Sequence, residues 1–151
     1  MEDFVTYELA VKLKEKGFRE DCIAYYHTDG ELIYNRDEYR GGDYKSLLNS
    51  YNSLPKNPIG CEQIDAPTIS QVLKWLRKER KLHIGPCILA DADTDADGKI
   101  INEYVYWSFS VTNIESGDMI YFEYEHIDDK RFDSYEQAAL AGIEYALDKL
   151  I

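Results

Sequence analysis

The sequence predicts an α+β fold: one compact domain over residues 1–151, with an antiparallel sheet covered by about three helices. Three observations lead there. Apolar residues recur at helical spacing in three separate segments, and short runs of period two, rich in Tyr, Val and Ile, lie between them. The order helix, hairpin, helix, meander, helix also lacks the regular strand–helix alternation of a parallel sheet. At 151 residues, a domain buries roughly 68–70% of its extended-chain surface, so neither a disulfide nor a metal is required for folding.

The first helix is expected over residues 4–16, where Val5, Leu9 and Leu13 share a face. Gly17 supplies a left-handed stop, and Phe18 folds back on the last turn. "CIAYYHTDGELIYN" then reads as a hairpin with Asp29-Gly30 as a two-residue turn. That turn sets Tyr26 against Ile33 and Tyr25 against Tyr34, and groups Ile23, Tyr25, His27, Leu32 and Tyr34 on the core side. Residues 40–66 read as an irregular insertion punctuated by "RGGDY", "LPKNP" and "IGC". Tyr39, Tyr44, Tyr51 and Leu54 in or beside it either cover a sheet edge or form a recognition loop.

The second helix has clear boundary chemistry. Thr68 can cap it, with Gln71 three residues on, and Pro67 restricts the approach. Ile69, Val72, Leu73 and Leu76 form its apolar stripe, with Trp75 at the margin. Lys74, Arg77, Lys78 and Lys81 lie toward the other side, as a solvated face or a contact for an acidic partner or anionic ligand. "LHIGPCILA" reads as a strand in which Gly85-Pro86 favours an edge position. "EYVYWSFSV" alternates so that Val105, Trp107, Phe109 and Val111 face one way, and "MIYFEYEHI" places Ile120, Phe122 and Tyr124 together, away from Tyr121 and Glu123. Ser134 and Gln137 cap the last helix, whose Ala139, Gly142, Ile143, Ala146, Leu147 and Leu150 form the packing face.

A net charge of −12 disfavours nucleic acid as a partner; it reads first as a solubilising charged surface and leaves open a basic protein partner or a cation. Most of the net negative charge falls in residues 91–133, which hold 12 Asp and Glu against three Lys and Arg. No apolar run approaches the roughly 20 residues of a membrane-spanning helix, and "MEDFVTYELA" lacks an export signal. Cys22, Cys61 and Cys87 form an odd, widely spaced set, which points to a reducing cytoplasm.

"DTDADGKIINEY", from Asp93, is similar to the first half of a calcium-binding EF-hand loop, with Asp93, Asp95 and Asp97 before Gly98. The match fails at the twelfth position, which is Tyr104, with Glu103 one place early. Two readings remain: an exposed acidic connection between strands, or a cation site built from Asp91, Asp93, Asp95, Asp97, Asn102 and Glu103, with calcium as the ion. His27, His83 and His126 form no zinc motif, and phosphate-loop, dinucleotide and nucleophile-elbow motifs are absent.

"YELAVKLKEKGF", "APTISQVLKWLRKE" and "YEQAALAGIEYALDKLI" together resemble a group of small, uncharacterised proteins of phages and mobile elements in gut bacteria, especially Bacteroides-type hosts. The likeness spans residues 7–151 and lies in the helical framework, most recognisably around Ala66-Pro67-Thr68 and Trp75. It implies a cytoplasmic accessory protein and carries no catalytic motif.

The leading functional expectation is a noncatalytic protein-interaction or host-modulating protein. Its candidate contact residues are Tyr39, Tyr44, Tyr51, Trp75, Arg77, Tyr121 and Glu123, because Tyr, Trp and Arg are enriched at interfaces. One alternative is a small hydrolase or transferase in which Cys22 or Cys87 meets a histidine and a carboxylate only after folding. The other is a structural homo-oligomer.

Overall fold

The structure, a computed structural model, describes residues 3–34, 52, 63–122 and 131–151. It is α+β, in the order α1 (Tyr7–Glu15), β1 (Ala24–Tyr26), β2 (Leu32–Tyr34), β3 (Ile64–Asp65), α2 (Ile69–Arg80), β4 (Leu82–Thr94), β5 (Ile100–Asn113), β6 (Met119–Phe122) and α3 (Tyr135–Lys149). Among the described residues all strand pairs are antiparallel, and they form two sheets of order β2-β1-β3 and β4-β5-β6. Contacts divide the chain into two compact units, Met1–Trp75 with Ile151 and Leu76–Leu150, and each holds one sheet.

In the first unit, the Thr6 hydroxyl caps α1 by accepting from the Leu9 amide. Gly17, at φ 93°, ends it: its amide donates to Lys14 and the Phe18 amide to Leu13, the two bonds of a Schellman stop. Phe18 is thereby fully buried and meets Trp75 edge to face at 5.5 Å. Trp75 is only 5% exposed, so it is a core side chain, and its expected place among the contact residues is corrected.

The first hairpin slips by one residue from the expected register. Tyr26 pairs with Leu32 and Tyr25 with Ile33, because the His27 amide donates to Glu31 and the Gly30 amide to His27. Thr28-Asp29-Gly30 is thus a three-residue loop with Gly30 at φ 84°, a position that favours glycine. A one-residue slip exchanges the faces, so Leu32 and Tyr34 join Tyr26 instead of Tyr25. On its other side β1 pairs with β3, Tyr25 opposite Asp65, which gives order to the end of the expected insertion. Most of that insertion, including Tyr39, Tyr44 and Tyr51, lies outside the described residues, as do Cys61, Glu123 and His126.

At the head of α2 the expected reciprocal cap forms. Thr68 donates its amide to the Gln71 side chain at 3.0 Å, and Gln71 returns its amide to the Thr68 hydroxyl at 3.2 Å. In the second unit, α3 starts at the Ser134 cap and buries Ala138, Ala139, Gly142, Ile143, Ala146 and Leu147. Gly142 sits against Ile84 of β4 and Phe109 of β5, so the helix lies on the sheet face that carries those residues. Tyr121 faces the same helix and stacks on Tyr145 with ring centroids 4.0 Å apart. The expected orientation of β6 is therefore reversed. A register shift pairs Val111 with Tyr121 and Thr112 with Met119, leaving Ile120 as the extra residue and 42% exposed.

Candidate functional site: the overhanging ribbon

β4 and β5 form the longest pairing among the described residues, from Leu82 opposite Asn113 to Thr94 opposite Ile100. At about 3.3 Å per residue, the 14 residues of β5 span about 46 Å. The 15 residues of α3 span about 22 Å at about 1.5 Å each, so one helix covers only part of the ribbon. Cover ends where the Trp107 ring meets Tyr135, the first residue of α3, at 5.7 Å.

Beyond that rung the apolar face stays open. Ile88 pairs with Trp107 and Ala90 with Val105, and residues directly opposite share a face. Ile88 is 58% exposed and Val105 is 71% exposed, whereas Phe109 and Val111, on the same face of β5 under α3, are 3% and 0% exposed. Ile101 and Ile100, nearer the tip, are also exposed. Glu103, opposite Ala92, separates the tip from the open apolar patch of Ile88, Ala90 and Val105, and an exposed apolar patch rimmed by polar residues marks an interaction surface more often than scattered exposed residues do.

The opposite face of the ribbon carries Leu89, Asp91, Tyr104 and Tyr106. The Arg131 guanidinium lies 4.6 Å from the Tyr104 ring centroid and 5.2 Å from that of Tyr106, and its Nη2 is 3.5 Å from Asp91 Oδ2. The Tyr104 hydroxyl donates to the same oxygen at 3.4 Å. Both phenols are pushed up from their ordinary pKa. The removal of water contacts comes first, and the Asp91 charge adds to it, while Arg131 opposes it. They are therefore neutral hydroxyls near pH 7.

The tip of the ribbon is a tight, hydrogen-bonded turn. Asp95 and Lys99 close a three-residue loop, Ala96-Asp97-Gly98, with Gly98 at φ 78°. Asp95 Oδ1 accepts the amides of Asp97 and Lys99, both at 2.9 Å. Asp91 and Asp93 lie in β4, opposite Tyr104 and Asn102, while Glu103 is opposite Ala92 and faces the other side of the ribbon. Among the described residues, no three His, Cys, Asp or Glu side chains converge on a common point that could hold an ion.

The remaining candidates are dispersed. Arg77 on α2 and Tyr121 under α3 are partly buried. His27 is near Asp29, with Nδ1 3.6 Å from Oδ1, in the loop region of the first hairpin. Cys22 is fully buried. Burial raises its thiol pKa above the ordinary thiol range, and the charges of Asp65, Asp21 and Glu20 raise it further. This is the reverse of nucleophile activation. Because folding favours the protonated thiol, Cys22 lowers stability only as pH rises past the ordinary thiol range, where the unfolded chain ionises and the folded one does not. In a Cys61→Ser/Cys87→Ser chain, Ellman's reagent at pH 8 is expected to leave Cys22 unmodified until denaturant is added. Rapid modification of the folded chain would contradict this placement.

Sequence reasoning missed Ile88, Val105 and Arg131 as surface determinants. The available signal was length: the alternation of residues 100–113 outruns any single helix of the last segment's size. Among the described residues, no helix is long and apolar enough to cross a membrane. The chain matches no protein-family model, no curated protein and no solved structure.

Proposed function

We propose that this chain is a noncatalytic protein-interaction protein, and that the overhanging part of the β4–β5 ribbon is its contact surface. The observation that carries this reading is the abrupt change along one sheet face, from the fully buried Val111 to the 71% exposed Val105. Leaving such side chains in water forgoes roughly 1.5–3 kcal/mol each relative to burial, which a partner can recover. The net charge of −12 supports a polypeptide partner over a polyphosphate. Cys22 is fully buried and Cys87 half-buried, and burial raises the pKa of both thiols, the reverse of activation, which gives the hydrolase or transferase alternative no support. The likeness to phage and mobile-element proteins extends the proposal to an accessory protein that acts on a host protein in the cytoplasm.

A photo-crosslinking residue at Val105 is expected to trap a discrete polypeptide, and the purified partner is expected to bind the chain directly. Ile88→Ser/Val105→Ser weakens that binding by at least about tenfold, or about 1.4 kcal/mol. At such exposed positions the pair changes folding stability by no more than about 1 kcal/mol. Binding unaffected by the pair, or equal trapping from Lys78 on the exposed side of α2, would remove the reading.

A further inference from the structure

The ribbon offers an edge as well as a face. In the sheet order β4-β5-β6, β4 is outermost, and among the described residues it pairs only with β5. An unpaired strand edge presents a row of backbone donors and acceptors that an extended polypeptide can complete. Pro86 lacks an amide proton and interrupts that row, and the Ala92 amide already donates to Asp91 Oδ1 at 2.8 Å, so a strand added over residues 87–94 has to displace that one local bond.

The side chains along this stretch specify what can be added. On the open apolar face lie Ile88, Ala90 and Ala92; on the other lie Cys87, Leu89, Asp91 and Asp93. Over residues 90–93 a strand laid alongside therefore meets apolar and acidic neighbours alternately. Residues 88–105 hold five carboxylates, Asp91, Asp93, Asp95, Asp97 and Glu103, against the single Lys99, a net of −4. Arg131, paired with Asp91, brings the local net to −3.

A second copy of this chain is poorly matched to the edge. Antiparallel self-pairing centred on Ala92 would set Asp91 of one copy against Asp93 of the other, twice, and like charges directly opposite one another destabilise a strand pair. The acidic residues thus act against self-association while remaining complementary to Lys or Arg at the same positions.

We propose that the outer edge of β4 over residues 87–94 receives an extended segment of a partner protein in which apolar residues alternate with Lys or Arg. This assignment rests on the ribbon being the contact surface. The partner's apolar side chains extend the Ile88–Val105 face, and its cationic side chains lie beside Asp91 and Asp93.

The test uses the full chain and fluorescent synthetic peptides, with binding read by anisotropy. A short peptide of alternating valine and lysine is expected to bind saturably, and Asp93→Lys to weaken it about tenfold through the reversed cross-strand charge. A valine–glutamate peptide, a serine–lysine peptide and a valine–lysine peptide with alternate backbone amides methylated are each expected to bind at least about tenfold more weakly, for want of charge match, apolar contact and strand hydrogen bonds respectively. Equal binding of the serine–lysine or methylated peptide would overturn the strand-addition inference, as would indifference to Asp93→Lys. If the valine–glutamate peptide binds best, or the chain dimerises in a manner abolished by Ile88→Ser/Val105→Ser, the contact surface stands and the basic-strand occupant falls. If that pair changes neither peptide binding nor self-association, both the surface and its occupant fall.

Discussion

Replacing Gly142 by leucine is expected to destabilise the Leu76–Leu150 unit by about 3 kcal/mol, since added volume at a tight contact forces side chains and backbone apart. A Cβ at this position would overlap the Ile84 Cγ2 methyl and lie 3.1 Å from Phe109 Cδ2. Ile84 is fully enclosed, and its β-branched side chain has little rotational freedom with which to swing the methyl aside. Gly142→Ala sharpens the test, because alanine in an exposed helix would add about 1 kcal/mol of stability. Here the collision is expected to reverse that sign. Urea unfolding followed by circular dichroism measures both variants, and an alanine variant more stable than the parent would show that the helix does not approach the sheet this closely.

The second large effect is expected at Asn52. This side chain is 5% exposed and spans two segments: its Nδ2 donates to the Phe18 carbonyl at 3.1 Å, and its Oδ1 accepts the Asp65 amide at 3.2 Å. Its own backbone amide donates to Asp65 Oδ2 at 3.1 Å, and Asp65 is fully buried. Asn52→Asp sets a second buried carboxylate beside the first and turns a donor toward the Phe18 carbonyl into another acceptor. The expected loss is about 3–4 kcal/mol, the range for an uncompensated buried charge. Asn52→Ala preserves the backbone bond and is expected to lose only about 2 kcal/mol, mainly by leaving the Asp65 amide unsatisfied. The order of the two variants is the informative result. If aspartate is tolerated better than alanine in chemical denaturation, the polar bridge does not exist as described.

Local stereochemistry made the helices readable in advance. The left-handed Gly17, the return of Phe18, and the Thr68–Gln71 and Ser134–Gln137 caps each depend on residues no more than a few positions apart. Long-range pairing was less accessible. Asp65 joins Tyr25 across 40 positions, and Arg131 reaches Asp91 across the same separation, with no local pattern announcing either meeting. Single-residue effects decided the strand faces: Gly30 lengthened one loop to three residues, and the irregularity at Val111 turned Tyr121 inward. The run from Asp91 to Asp97 looked like a connection because aspartate is depleted in strands. Pairing with Tyr104 and Asn102 overrides that preference and carries the strand out to Thr94.

The aromatic contacts of Trp75 with Phe18 and of Trp107 with Tyr135 have a practical consequence. The chain holds just two indoles, and the boundary between its compact units assigns one to each. Each half of the molecule therefore carries its own intrinsic fluorophore. With one tryptophan replaced by phenylalanine at a time, emission from the survivor reports the melting of its own half without any attached dye.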